Sequence, residues 1–151
     1  MAFLSGDVQK IIEIKKDRLQ QWLKARFVVP SINEADGPGD RNLWSKEDLY
    51  SIAIFKQITE AGWSRKVAAK FYAQGVIGED PGEGALVVYL RKGDRIAGAY
   101  VKDTELDFSW LAKELDMKAF DDCYIINFYN LKKRIDEKIK EHYREYLSEK
   151  K

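Results

Sequence analysis

A mainly α-helical fold with a small β component (α+β) is predicted by three observations. Apolar residues recur at helical spacing through most of residues 7–72. Two β-rich runs, 86–90 and 95–101, flank Arg91-Lys92-Gly93-Asp94, the composition of a hairpin turn. A long periodic segment, 129–148, then follows as a C-terminal helix.

The elements follow in order. Residues 7–14 are predicted as a short helix, with Val8, Ile11, Ile12 and Ile14 apolar and Asp7 as N-cap. Residues 16–25 are predicted as a second helix. Leu19, Trp22 and Leu23 face a core, and Lys16, Arg18, Gln20, Gln21 and Lys24 face outward. Pro30 ends an extended piece, residues 31–40 form a polar turn-rich loop, and residues 42–44 form a return strand. Ser45 opens a third helix, because Asp48 three residues on completes a capping box. Its stripe runs Leu49, Ile52, Ala53, Phe55 and Ile58, and Gly62 is its C-cap. Ser64 restarts a fourth helix that ends near Gly75. The Gly/Pro/acid segment 76–84 reads as a linker. Beyond the hairpin come a short helix over 107–115, a strand over 124–128 and the long helix.

The predicted domains are therefore 1–75, a linker 76–84, and a small α+β region 85–151. An apolar fraction of 45% argues for a packed core despite 34% charged residues. The net charge of +1 points to no partner by itself, but its distribution is uneven. Residues 15–26 hold five basic residues and one acid. Such a cluster suits a helix that touches phosphates, and equally a solvated helix face. The single cysteine, Cys123, excludes an internal disulfide and a multi-thiolate metal cage. No apolar stretch approaches membrane-spanning length, so a cytoplasmic location is expected.

Helix, tight turn, basic helix, two-strand wing and two further helices is the order of a winged helix-turn-helix. Three segments carry a more specific likeness. The first runs from Ser5-Gly6-Asp7-Val8 through Arg18-Leu19-Gln20-Gln21-Trp22 to Val29-Pro30-Ser31. The second runs from Gly39-Asp40-Arg41 through Trp44-Ser45 to Asp48-Leu49, and the third is Ile58-Thr59-Glu60-Ala61-Gly62-Trp63-Ser64. Together, over about residues 4–73, they resemble the MerR family of transcriptional regulators. The chain departs from the family where Gln20 replaces its usual Arg, Gln21 a Tyr, Arg26 a Gly and Trp44 a Tyr. Gln prefers adenine where Arg prefers guanine or phosphate, so base preference does not carry over.

The resemblance implies a DNA-binding transcriptional regulator. Its dimer would place helix 16–25 in the major groove and hold phosphates with the wing's Arg41. Expected contacts are Lys15, Lys16, Arg18, Gln20, Gln21, Lys24, Arg41, Trp44 and Lys66. Each has a plainer alternative: the lysines as solvated surface, Trp44 as core cover. The implied partners are double-stranded DNA, a second copy of the chain and RNA polymerase, with no membrane and no cofactor. The stripe Leu131, Ile135, Ile139, Tyr143, Tyr146 and Leu147 would join two copies, since a two-stranded hairpin gives it limited cover.

Two other functions stay open. One is a protein-interaction or sensory module whose helix-turn-helix no longer binds DNA, and the other an excisionase-like architectural DNA-binding protein. An enzyme is not expected. His142, the lone histidine, sits on a charged helix, Cys123 follows Asp121-Asp122, and no phosphate-binding glycine loop exists. Tyr89, Tyr100, Phe108 and Trp110 are candidate lining for an apolar ligand between hairpin and helix, or simply core.

Overall fold

A computed structural model describes residues 1–74 and 76–149. Gly75, expected near the end of the fourth helix, and Lys150 and Lys151 lie outside the described residues. The described chain is α+β, with six α-helices and one three-stranded antiparallel sheet. The helices are α1 (Ser5–Ile12), α2 (Lys16–Lys24), α3 (Lys46–Glu60), α4 (Arg65–Gln74), α5 (Phe108–Glu114) and α6 (Phe128–Glu149). The strands are β1 (Ala85–Lys92), β2 (Arg95–Lys102) and β3 (Asp122–Asn127), in the order β2-β1-β3. No described helix is long and apolar enough to cross a membrane.

Two compact units divide the chain: Met1–Ile54 with Lys132–Lys151, and Phe55–Leu131. The division does not follow the expected boundary near residue 75. The first unit is assembled from both flanks of the sequence, and α3 and α6 each contribute residues to both units.

In the first unit, α1 begins two residues earlier than expected. The Asp7 carboxylate accepts the Leu4 N–H at 2.8 Å from within the first turn, so Asp7 is not the N-cap. Glu13, in the left-handed conformation at φ 61°, stops α1, and Ile14 is buried in the joint before α2. A full Schellman motif ends α2. Arg26 N–H bonds to Leu23 O at 3.0 Å and Phe27 N–H to Trp22 O at 2.9 Å. Arg26 sits at φ 58°, so the turn keeps the geometry usually given to glycine.

The wing is closed by isolated bridges, not by extended strands. Asn33 pairs antiparallel with Leu43, and Trp44 pairs with Phe3. The capping box of α3 forms as expected. Ser45 N–H bonds to Asp48 Oδ2 at 2.9 Å, and Asp48 N–H bonds to Ser45 Oγ at 3.1 Å. The same Asp48 oxygen also accepts the Ser31 N–H and Oγ–H, both at 2.8 Å, and so pins the end of the α2–wing connection to α3.

The α6 segment 132–149 completes this unit. Asp136 bonds to Tyr50 Oη and pairs with Lys46 at 3.2 Å; Lys138 pairs with Glu13 at 3.4 Å, and His142 meets Asp7 at 2.7 Å. Ile135 and Ile139 are buried within the chain, as is Leu131 in the second unit. The stripe expected to join two copies is therefore covered by its own chain over these positions. The cause is that α6 folds back beside α1 and α3, a long-range packing that helical periodicity does not encode. Tyr146 and Leu147 alone of that stripe are exposed.

The second unit is built on the sheet. β1 and β2 form the expected hairpin with Lys92 opposite Arg95. Gly93 supplies φ 61° at the first central position, and Asp94 has no positive φ, the pattern of a type II′ turn. β3 pairs antiparallel with β1, Tyr124 opposite Tyr89, which makes β1 the central strand. One face, with Val88, Leu90, Ala99 and Val101, packs against Leu111 of α5 and Leu115 just after it. Alternation sends Tyr89 to the other face, where its ring meets Phe71 of α4 at 4.7 Å. Segment 76–84 is not a free linker. Ile77 donates to Gly98 O and accepts from Tyr100 N–H, each at 3.0 Å, and so extends the β2 edge.

Candidate nucleic-acid interface

The α1–α2 pair, joined by Glu13, Ile14 and Lys15, presents the outer face of α2 to solvent. Leu19 and Trp22 are buried, whereas Lys16, Arg18, Gln20, Gln21 and Lys24 are exposed. The sequence dictates this, since the apolar residues fall on one side of the helix and the polar ones on the other. Lys16, Gln20 and Lys24 succeed one another at four-residue intervals and form one row. Lys15, immediately before the helix, is exposed as well. Among the described residues, Lys15, Lys16, Arg18, Lys24 and Arg41 make no ion pair.

Between the end of α2 and the wing lies an open cleft of about 350 Å³. Leu23, Val28, Val29, Pro30 and Ala35 contribute apolar lining, and Gln20, Lys24, Arg26, Glu34 and Asn42 contribute the polar part. Arg26 reaches across to Glu34 at 3.3 Å, a solvent-exposed pair.

The wing loop is held by its own side chains. Asn33 Nδ2 donates to Asp40 Oδ1 at 3.1 Å and to Arg41 O at 2.7 Å, and Asn42 Oδ1 accepts the Ala35 N–H at 2.8 Å. The Asp40 carboxylate also accepts the N–H groups of Asp36 and Arg41, at 2.8 and 2.9 Å. These backbone donors, chiefly Asp36 and then Arg41, with Asn33, hold the Asp40 pKa below its ordinary value. Asp40 is thus firmly ionised beside Arg41. With Glu34 and Asp36 the expected polar loop carries a cluster of acids.

The expected contact residues are distributed as follows. Arg41 is exposed on the wing. Trp44 is corrected: it is fully buried, and its indole N–H donates to Ser5 Oγ at 3.1 Å. It pairs through its backbone with Phe3 and covers the core, so it is withdrawn from any external surface. Lys66 is exposed in the first turn of α4 but belongs to the second compact unit. Ser64 Oγ already accepts the Val67 N–H there at 3.1 Å.

Elsewhere, the candidate ligand lining disperses. Tyr89 and Tyr100 lie on the sheet face opposite α5, and Tyr89 is wholly buried. Phe108 and Trp110, on α5, are 38% and 50% exposed. They and the tyrosines therefore do not line one cavity. Asp121 and Asp122 are engaged by Arg91, whose Nε and Nη2 bond Asp122 at 2.8 Å each, and this pairing raises the Arg91 pKa. No group of three or more His, Cys, Asp or Glu that could hold a metal ion occurs among the described residues. No family model and no curated protein matches the sequence.

Proposed function

We propose that this chain is a DNA-binding transcriptional regulator that lays α2 in the major groove. The carrying observation is the exposed face of α2, with Lys16, Arg18 and Lys24 free of ion pairs and Gln20 and Gln21 between them. The short joint to α1 and the wing behind it support this reading, because they are the parts that brace such a helix against the duplex. Lysine and arginine would neutralise phosphates and release counterions, which gives most of the affinity. Arg41 adds a phosphate contact from the wing, weakened by its neighbour Asp40. With most of the α6 stripe covered, each subunit engages DNA through its own α2. Any pairing of copies uses other surfaces.

The test is fluorescence anisotropy on a duplex across a salt series. Replacing Lys16, Arg18 and Lys24 with Ala is expected to weaken binding to every duplex. Three lost phosphate contacts would flatten the log–log salt slope by about 2–3. Unchanged affinity in the triple variant would sink the proposal. Arg41→Ala should do less than Lys24→Ala.

The acidic wing favours one alternative, a protein-interaction module. Glu34, Asp36 and Asp40 would repel a phosphate backbone and suit a basic partner surface. No retention of any duplex at low salt would select that function.

A further inference from the structure

We propose that Gln20 is the residue through which α2 selects sequence, and that it selects adenine in the major groove. The inference rests on the DNA-binding function proposed above and deepens it. Gln20 is exposed at the middle of the row Lys16, Gln20, Lys24. At about 1.5 Å rise per residue the two lysine positions stand roughly 12 Å apart along the helix, far enough to reach separate phosphates. Ammonium groups at both ends of the row suit phosphates, which fix register but carry no sequence information. The side chain left over the base edges is the Gln20 amide.

That amide offers a donor and an acceptor side by side. Adenine presents the complementary pair, the N7 acceptor and the N6 donor, whereas guanine presents two acceptors. Among the described residues Gln20 makes no hydrogen bond that it would have to surrender. Gln21 is placed differently. It lies outside the cleft beside the wing that Gln20 lines. Beside Gln20, Leu23 and Val29 line the cleft. Their apolar surface suits the methyl group that the adenine's partner thymine displays in the same groove.

The test selects binding sites from a random duplex library with three proteins: the natural chain, Gln20→Ala and Gln20→Arg. Residue 20 is on the surface, so unchanged helical circular dichroism will report folded protein. The natural chain is expected to enrich an A·T pair that becomes degenerate with Gln20→Ala and G·C with Gln20→Arg. In direct binding, changing that pair to G·C should weaken the natural chain about tenfold and the Ala variant less than about twofold. If the natural chain binds duplex but all three proteins enrich the same site, the role of Gln20 is overturned and DNA binding stands. If no duplex is retained at low salt, both fall together.

Discussion

Arg26 occupies a backbone conformation that L-residues with a Cβ adopt at a cost of about 1–2 kcal/mol. Its φ of 58° is imposed by the Schellman turn that ends α2. Among the described residues its side chain gains only the exposed pair with Glu34, a kind of contact of small value. Arg26→Gly is therefore expected to raise stability by about 0.5–1 kcal/mol, read as a higher urea midpoint with an unchanged slope. Tyr89 is a second residue under tension. Its ring is wholly buried, and its hydroxyl has no hydrogen-bond partner among the described residues. Burial, and secondarily Tyr100, push its pKa well above the ordinary 10.0. The native state thus keeps its proton when the unfolded chain has lost it. Stability from this group is complete below pH 10.0 and declines as pH rises beyond it. Denaturation measured from pH 8 to 11 (roughly spanning the tyrosine range) should show this decline, and Tyr89→Phe should reduce it. Near neutral pH the same variant should be unchanged or up to about 1 kcal/mol more stable, since it loses only an unpaired polar group.

At the scale of elements, the beginning of α3 is a junction. Asp48 Oδ2 collects N–H or O–H groups from Ser31 and Ser45 while the residue is largely buried. Asp48→Ala is expected to cost about 2–4 kcal/mol, against about 1 for Ser45→Ala, in urea unfolding. Similar losses for the two would argue that the connection to Ser31 contributes nothing. The local half of this junction was legible in the sequence, because Ser45 and Asp48 sit at capping-box spacing. The Ser31 half was not, since a bond across seventeen residues leaves no periodic trace. The same division holds elsewhere. The hairpin announced itself through Gly93-Asp94 and the α3–α4 corner through Gly62, both short-range demands of backbone geometry. The burial of Trp44 and the pairing of β3 with β1 depend on distant partners. For the candidate interface, amphipathicity placed the exposed face of α2 correctly, while the bonds that tie Asp40 to Asn33 and to the Asp36 N–H depend on the conformation of the loop and leave no pattern in the sequence.

The whole molecule is organised around a nested chain. Segment 55–131 forms one compact unit, and the residues on either side of it form the other. Within the flanking unit, α6 supplies Asp136 to Tyr50 and Lys46, Lys138 to Glu13, and His142 to Asp7. A fragment of residues 1–75 lacks all of these and the buried Ile135 and Ile139. It is expected to show weak helical circular dichroism and poorly dispersed amide spectra, despite containing the whole proposed DNA-binding surface. A well-folded 1–75 fragment would show that α6 is dispensable to this unit.

The nesting also sets an order of events during synthesis. Segment 55–131 has all its strands and α5 once residue 131 has left the ribosome, so its sheet is free to form first. The α1–α2 pair is made before that segment but must wait for residues 132–149 to complete its unit. At about 5–20 residues per second, the 77 residues from 55 to 131 impose a delay of roughly 4–15 seconds. During that interval Phe3 lacks the ring of Tyr143 against it, and Asp7 and Glu13 lack His142 and Lys138. α1 and α2 are thus translated before segment 55–131 and completed after it, and they depend longer on whatever shields nascent apolar surface in the cell.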